Sequence, residues 1–150
     1  MSVSIRKATF KETQYILDQA LVVLKDSSMG FVQPSIEKAS QIMTPILADG
    51  GYYLVFETNQ IIHGWIGVGT IYDFYTDETV GTIPEIYVFP TYRKQGIAEK
   101  LMREAFRYLA REGVRKVQLN VFAGNKAKKL YEKLGFHDVS TLMEKNLMND

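Results

Sequence analysis

The chain has 150 residues, 46% hydrophobic and 23% charged, and carries a formal net charge of +1 from 18 basic and 17 acidic residues, with no cysteine. That size and composition suit one globular domain, residues 1–150, with a substantial core and no disordered tract. So small a net charge leaves no field to hold a nucleic-acid backbone, and the missing cysteine excludes disulfides, thiolate metal sites and a cysteine nucleophile.

The first ten residues, "MSVSIRKATF", hold no apolar run of signal-peptide length, and no later segment approaches the roughly 18 apolar residues of a membrane span. No membrane partner and a cytoplasmic location are therefore expected. "VSIRKAT" alternates like a half-buried strand, and "KETQYILDQALVVLKDS" spaces Ile16, Leu17, Ala20, Leu21, Val23 and Leu24 as one helix. After the connection "DSSMGFVQP", "SIEKASQIMTPILADGG" predicts a second helix that Pro45 kinks or shortens before Gly50 and Gly51. "YYLVFE" and "IIHGWIGVGTIY" are β-branched and aromatic runs joined by Thr58-Asn59-Gln60, which predicts an antiparallel hairpin. "DFYTDETVG" reads as a polar turn, and "TIPEIYVFP" as a strand whose Pro84 marks a start, an edge or a bulge.

The strongest helical pattern follows Pro90: Ile97, Ala98, Leu101, Met102, Ala105, Phe106, Leu109 and Ala110 share one face, and Gly113 stands just past the end. "VRKVQLNVF" predicts another strand. "NKAKKLYEKLG" predicts a short helix with Asn125 as its cap, and "FHDVSTLMEKNL" a last strand. Residues 82–122 have the length of a right-handed strand–helix–strand crossover, so its two strands should run parallel.

At the start of the crossover helix stands "RKQGIA". A helix N-terminus offers unpaired N–H groups and the positive end of the dipole, a glycine lets the backbone approach an anion, and Arg93 and Lys94 add charge. Taken alone, Gly96 more often marks an ordinary strand-to-helix turn with solvated cations beside it. Neither a Walker Gly-Lys-Ser/Thr nor a G-x-G-x-x-G is present.

With its surroundings the stretch says more. "IYVFPTYRKQGIAEKLM" resembles the acetyl-CoA signature R/Q-x-x-G-x-G/A of the GNAT N-acetyltransferase superfamily, filled by Arg93, Gly96 and Ala98. "AKKLYEKLGF" is similar to a second block of that family, at a fitting distance, and the element order resembles the family's over nearly the whole chain. The resemblance implies a mixed α/β fold whose mostly antiparallel sheet, of about six or seven strands flanked by about four helices, is splayed at the cofactor site. It implies acetyl-CoA as co-substrate and no metal. The backbone of Ile86, Tyr87 and Val88 would pair with the pantetheine amides, and Arg93, Lys94, Gln95, Gly96, Ile97 and Ala98 would hold the pyrophosphate. Tyr131 matches the family's general acid, Glu85 is the candidate base, and Val88 N–H the oxyanion donor.

In one respect the chain departs from the family: an asparagine usual three residues before the position of Ala127 is here Gly124, and Asn125, one residue closer, is taken to meet the cofactor. Asn120 falls where relatives that acetylate protein N-termini carry a glutamate, and an amide cannot act as a base. His63 and His137 lack any metal-ligand pattern, and Lys126, Lys128, Lys129 and Lys133 read as a solvated helix face. Asp73, Asp77 and Glu78 beside Tyr72, Phe74 and Tyr75 suit either a cationic acceptor or plain solubility. The expected partner is a small-molecule or peptide amine, and the expected assembly a monomer or homodimer. The alternative function is a catalytically silent CoA-binding sensor.

Overall fold

A computed structural model describes residues 2–149. Six strands, β1 (Val3–Lys7), β2 (Tyr52–Thr58), β3 (Ile61–Asp73), β4 (Glu78–Thr82), β5 (Ile86–Val88) and β6 (Val117–Gln118), form one open mixed sheet. Among the described residues, five α-helices cover it: α1 (Phe10–Leu17), α2 (Ala20–Ser27), α3 (Ile36–Ala48), α4 (Ile97–Arg111) and α5 (Lys128–Lys133). The order β1-β2-β3-β4-β6 is antiparallel except at its end, where β4 and β6 run parallel as the crossover length requires. β5 also pairs with β3, so β4 and β5 follow one another along the same edge.

Side-chain alternation gives the sheet two apolar faces. Tyr53, Val55, Trp65 and Tyr87 meet α1 to α3 through Ile16, Val23 and Met43. Leu54, Phe56, Ile66 and Val68 meet α4 and α5 through Leu101, Met102, Leu109 and Tyr131. Gly67 allows the first contact to be close: a Cβ there would stand 2.5 Å from Met43 Sδ. α3 therefore lies directly on the middle of β3.

Several expectations are corrected. The single helix expected over residues 11–27 is two, because Gln19 bonds three residues back to Ile16 and the axis is re-aimed at Asp18-Gln19. α3 runs through Pro45 without a break; the ring is on the exposed side, and the bond it omits is to the carbonyl of exposed Gln41. The turn expected at residues 73–81 contains β4, whose polar threonines and glutamate concealed a strand that β3 zips from Gly69 to Asp73. The strand expected over residues 114–122 is paired only at Val117–Gln118, and the last one, over residues 136–147, has no strand pairing. In that segment Val139, Leu142, Met143 and Leu147 do not keep to a period of two, so no single face can be buried.

Candidate active site

The site starts from a miscount between two strands. Thr82 stands opposite Gly69 and Ile86 opposite Ile66, so Ile83, Pro84 and Glu85 face only Gly67 and Val68 of β3. This is a β-bulge, placed where Pro84 cannot donate to a ladder. Before it, β4 bonds to β6, and the last link is Ile83 N–H to Gln118 O at 3.2 Å. Beyond it, β5 and the chain leaving β6 part. The bonds Gly67 N–H to Glu85 O (2.8 Å) and Phe89 N–H to His63 O (3.0 Å) fix the alternation: the backbone of Tyr87 faces β3, and that of Ile86 and Val88 faces the opening. Tyr87 contributes its ring, buried against Trp65 and Phe89.

From this edge the chain turns through a single 3-10 turn, Pro90–Tyr92, into α4. Lys94 (φ 64°) and Gly96 (φ 78°) are both left-handed, and no side chain caps the helix that Gly96 begins. Among the described residues, the N–H groups of residues 94–99 find no acceptor. Left-handed residues alternating with ordinary ones turn successive N–H groups to one side, and the dipole of a 15-residue helix adds to them. Lys94 and Gln95 are exposed; Ile97 is buried and Ala98 half-buried, so these two offer the loop only their backbone.

Arg93 points back rather than outward. Its Nε donates to Val88 O at 2.7 Å, its guanidinium lies 5.3 Å from the Tyr87 ring centre, and it pairs with Asp26 of α2 at 3.3 Å. Its side chain thus clamps the loop to the end of β5 and uses the Val88 carbonyl, leaving the Val88 N–H and both backbone groups of Ile86 at the open edge.

Glu85, on the bulge, turns its side chain to the α3 face. There Oε2 accepts from Trp65 Nε1 at 2.9 Å and the carboxyl accepts from the Tyr53 hydroxyl. Part of the residue reaches solvent, but the carboxyl is desolvated, and that burial lifts it to about 7 against the pull of its two donors. Burial and the neighbouring carboxyl also hold the Tyr53 phenol well above its usual range. Tyr53 and Trp65 escaped the sequence reading. The register would have shown Tyr53 opposite Gly67, but an irregularity at Phe56/Glu57 shifts the count from the Asn59-Gln60 turn by one residue.

Tyr131 lies on α5, 8% exposed, within the same apolar cluster as Val88 and Ile97, and burial raises its phenol. Lys133 joins α5 to the first turn of α4 through Glu99 at 2.8 Å. Asn125 is not the cap of α5: its Oδ1 accepts from Ala127 N–H at 2.9 Å in the turn before the helix, and its Nδ2 donates to Ser27 O at 3.4 Å. Of the four lysines nearby, Lys128 pairs with Asp138 and Lys133 with Glu99, and Lys126 and Lys129 are exposed.

A pocket of about 230 Å³ beside the bulge is lined by Ile42, Ile46, Thr82, Ile83, Pro84 and Asn120. A larger one, about 420 Å³, lies between the anion loop and the β2–β3 end, at Phe56, His63, Tyr92 and Lys100, and shares none of these residues. An unpaired strand edge for amides, a basin of N–H groups for an anion, and a desolvated carboxyl together fit an amide-containing pyrophosphate ligand and proton transfer beside it.

Known proteins share this fold. The model of the family described as acetyltransferase (GNAT) family matches residues 20–136. No protein of curated function matches the sequence significantly. Among solved structures, one described as a putative acetyl transferase from Pyrococcus furiosus superposes with a TM-score of 0.83 at 21% identity, covering 97% of this chain and 100% of that one. A predicted acetyltransferase with acetyl-CoA from Clostridium acetobutylicum gives 0.75 at 22% identity over 99% of both chains. An aminoglycoside antibiotic 6′-N-acetyltransferase from Acinetobacter haemolyticus gives 0.69 at 18% identity, over 95% of this chain and 97% of that one.

Proposed function

Because the chain belongs to the GNAT acetyltransferase family, we propose that it moves the acetyl group of acetyl-CoA to a primary amine of a small molecule or peptide, directly and within a ternary complex. The observation that carries this is the parting of β5 from β6 at the bulge, immediately before the uncapped start of α4. Acetyl-CoA supplies an activated acetyl thioester. The outward groups of Ile86 and the N–H of Val88 bind its pantetheine amides and orient the thioester. The N–H groups of Lys94, Gln95, Gly96, Ile97 and Ala98 hold its pyrophosphate, with Arg93 keeping the loop in shape and Asn125 fixing the turn before α5 on the far side of the cleft.

Glu85, ionised above about pH 7, takes the proton that the amine loses, directly or through one water. The Tyr131 hydroxyl, kept protonated by burial, gives its proton to the departing sulfur. Thiol release from acetyl-CoA, measured with a panel of amines, tests the proposal. Amine-dependent release that follows a single ionisation near pH 7 and disappears in Glu85→Gln supports it, and a pH profile unchanged by that substitution removes Glu85 as the base.

A further inference from the structure

On the acceptor side of the bulge, the 230 Å³ pocket has walls of Ile42 and Ile46 from α3 and Ile83 and Pro84 from the bulge. Its polar lining is uncharged, Thr82 and Asn120. A cavity of about 150 Å³ already accepts a benzene ring, so this one has room for a phenyl group with a short alkyl arm. Outside it, Phe31 from the loop before α3 stacks on Phe122 from the segment after β6, with ring centres 5.8 Å apart and planes 11° apart. Both rings are open to solvent, at 56% and 40% exposure. Phe122 follows Asn120 by two residues, so the stacked pair and the pocket share one wall segment.

Several acidic residues of the neighbouring elements are engaged. Glu78 pairs with Lys116 at 2.8 Å, Asp26 with Arg93, and Asp77 accepts from the Tyr72 hydroxyl. Asp73 accepts from the neutral amide of Gln118 at 2.9 Å and from the Tyr75 N–H, and shares the charge of Lys116 with Glu78. The pocket lining holds no carboxylate, and Glu85 follows its Pro84 in the chain, so one amine can meet one carboxyl. A polycation entering here would lay its remaining charges against isoleucine and phenylalanine, without counter-ions, and desolvating them is costly.

We propose that the acceptor is a monoamine on an apolar, ring-sized body, which fills the pocket between α3 and the bulge and lies against Phe31 and Phe122. This rests on the acetyl-transfer reading and narrows its substrate. It sets the chain apart from enzymes that acetylate polycationic antibiotics, whose fold it shares.

The test is thiol release from acetyl-CoA by the full chain with butylamine, hexylamine and phenethylamine against spermidine and neamine. The kcat/KM for phenethylamine is expected to exceed that for spermidine by about tenfold or more. From butylamine to hexylamine it should rise about fourfold per methylene, the gain from burying one CH₂. Phe31→Ala, at an exposed position, should lower the phenethylamine-to-spermidine ratio by about two- to tenfold, the range for one aromatic contact, mainly through KM. Phe122→Ala should act in the same direction. Turnover in which spermidine or neamine equals or exceeds the apolar monoamines overturns the proposal and leaves acetyl transfer standing. Bound acetyl-CoA with no release by any amine overturns both.

Discussion

Tyr131 and Glu85 are both desolvated, with opposite consequences. Burial keeps a phenol protonated and so able to donate, while it makes a carboxyl a stronger base. Tyr131→Phe retains the ring that packs against Phe136 at 6.0 Å and removes only the proton. Its kcat should fall by roughly 10²–10⁴, while thermal stability and acetyl-CoA affinity stay near those of the parent. Single-turnover rates within a factor of two of the parent would reject the acid role. For Glu85 the folded state binds the proton more tightly than the unfolded chain, whose carboxyl titrates near its ordinary value of 4.5. Stability from this group is therefore complete below about pH 4.5 and lost as pH rises through 7. The loss is about 3 kcal/mol at ~1.4 kcal/mol per pH unit. Urea unfolding from pH 4.5 to 8 should show this decline in the parent and a much flatter profile in Glu85→Gln; parallel profiles would contradict the desolvation.

The elements convert those residues into a site. α4 begins at a glycine whose φ of 78° suits few other residues, yet a Cβ there would meet nothing within 4 Å. Gly96→Ala should consequently lose about 1–2 kcal/mol of stability from backbone strain while still binding acetyl-CoA. Gly96→Asp adds a carboxylate where the pyrophosphate is expected, and calorimetry should find binding reduced at least about tenfold beyond the alanine variant, from like-charge repulsion. Equal affinities in the two folded variants would remove the anion loop from the account. This element was legible in the sequence, because a 15-residue apolar stripe and its flanking glycines are local signals. The bulge was legible only as a proline of ambiguous meaning, since a count of three residues against two exists only once β3 is opposite. The clamp of Arg93 onto Val88 and Asp26 could not be read at all: cation and glycine spacing look the same whether the guanidinium faces the ligand or its own chain. The two donors to Glu85 depend in the same way on strand register, which no local pattern carries.

At the scale of the molecule, the sheet is held together where β4 meets β6 and opens where β5 does not. α2 and α4 are tied to the lip of that opening, by Asp26 to Arg93 and by Glu99 to Lys133 of α5. A ligand that spans the open edge and the anion loop should brace both, so CoA and acetyl-CoA should raise the melting temperature. At a hundred times the dissociation constant the gain is about 2.7 kcal/mol. ATP at equal concentration should raise it much less, because it fills only the loop; an equal rise would mark a nucleotide-phosphate site instead. The most direct test of acetyl transfer is the stoichiometry of products with the parent chain, acetyl-CoA and an acceptor amine: thiol released and N-acetylated amine formed, quantified together by absorbance and mass spectrometry. The predicted result is one acetylated amine per thiol, absent without amine and lost in Tyr131→Phe. Tight acetyl-CoA binding with neither product, across alkyl, aryl, polycationic and peptide amines, would contradict it and leave a CoA-binding sensor.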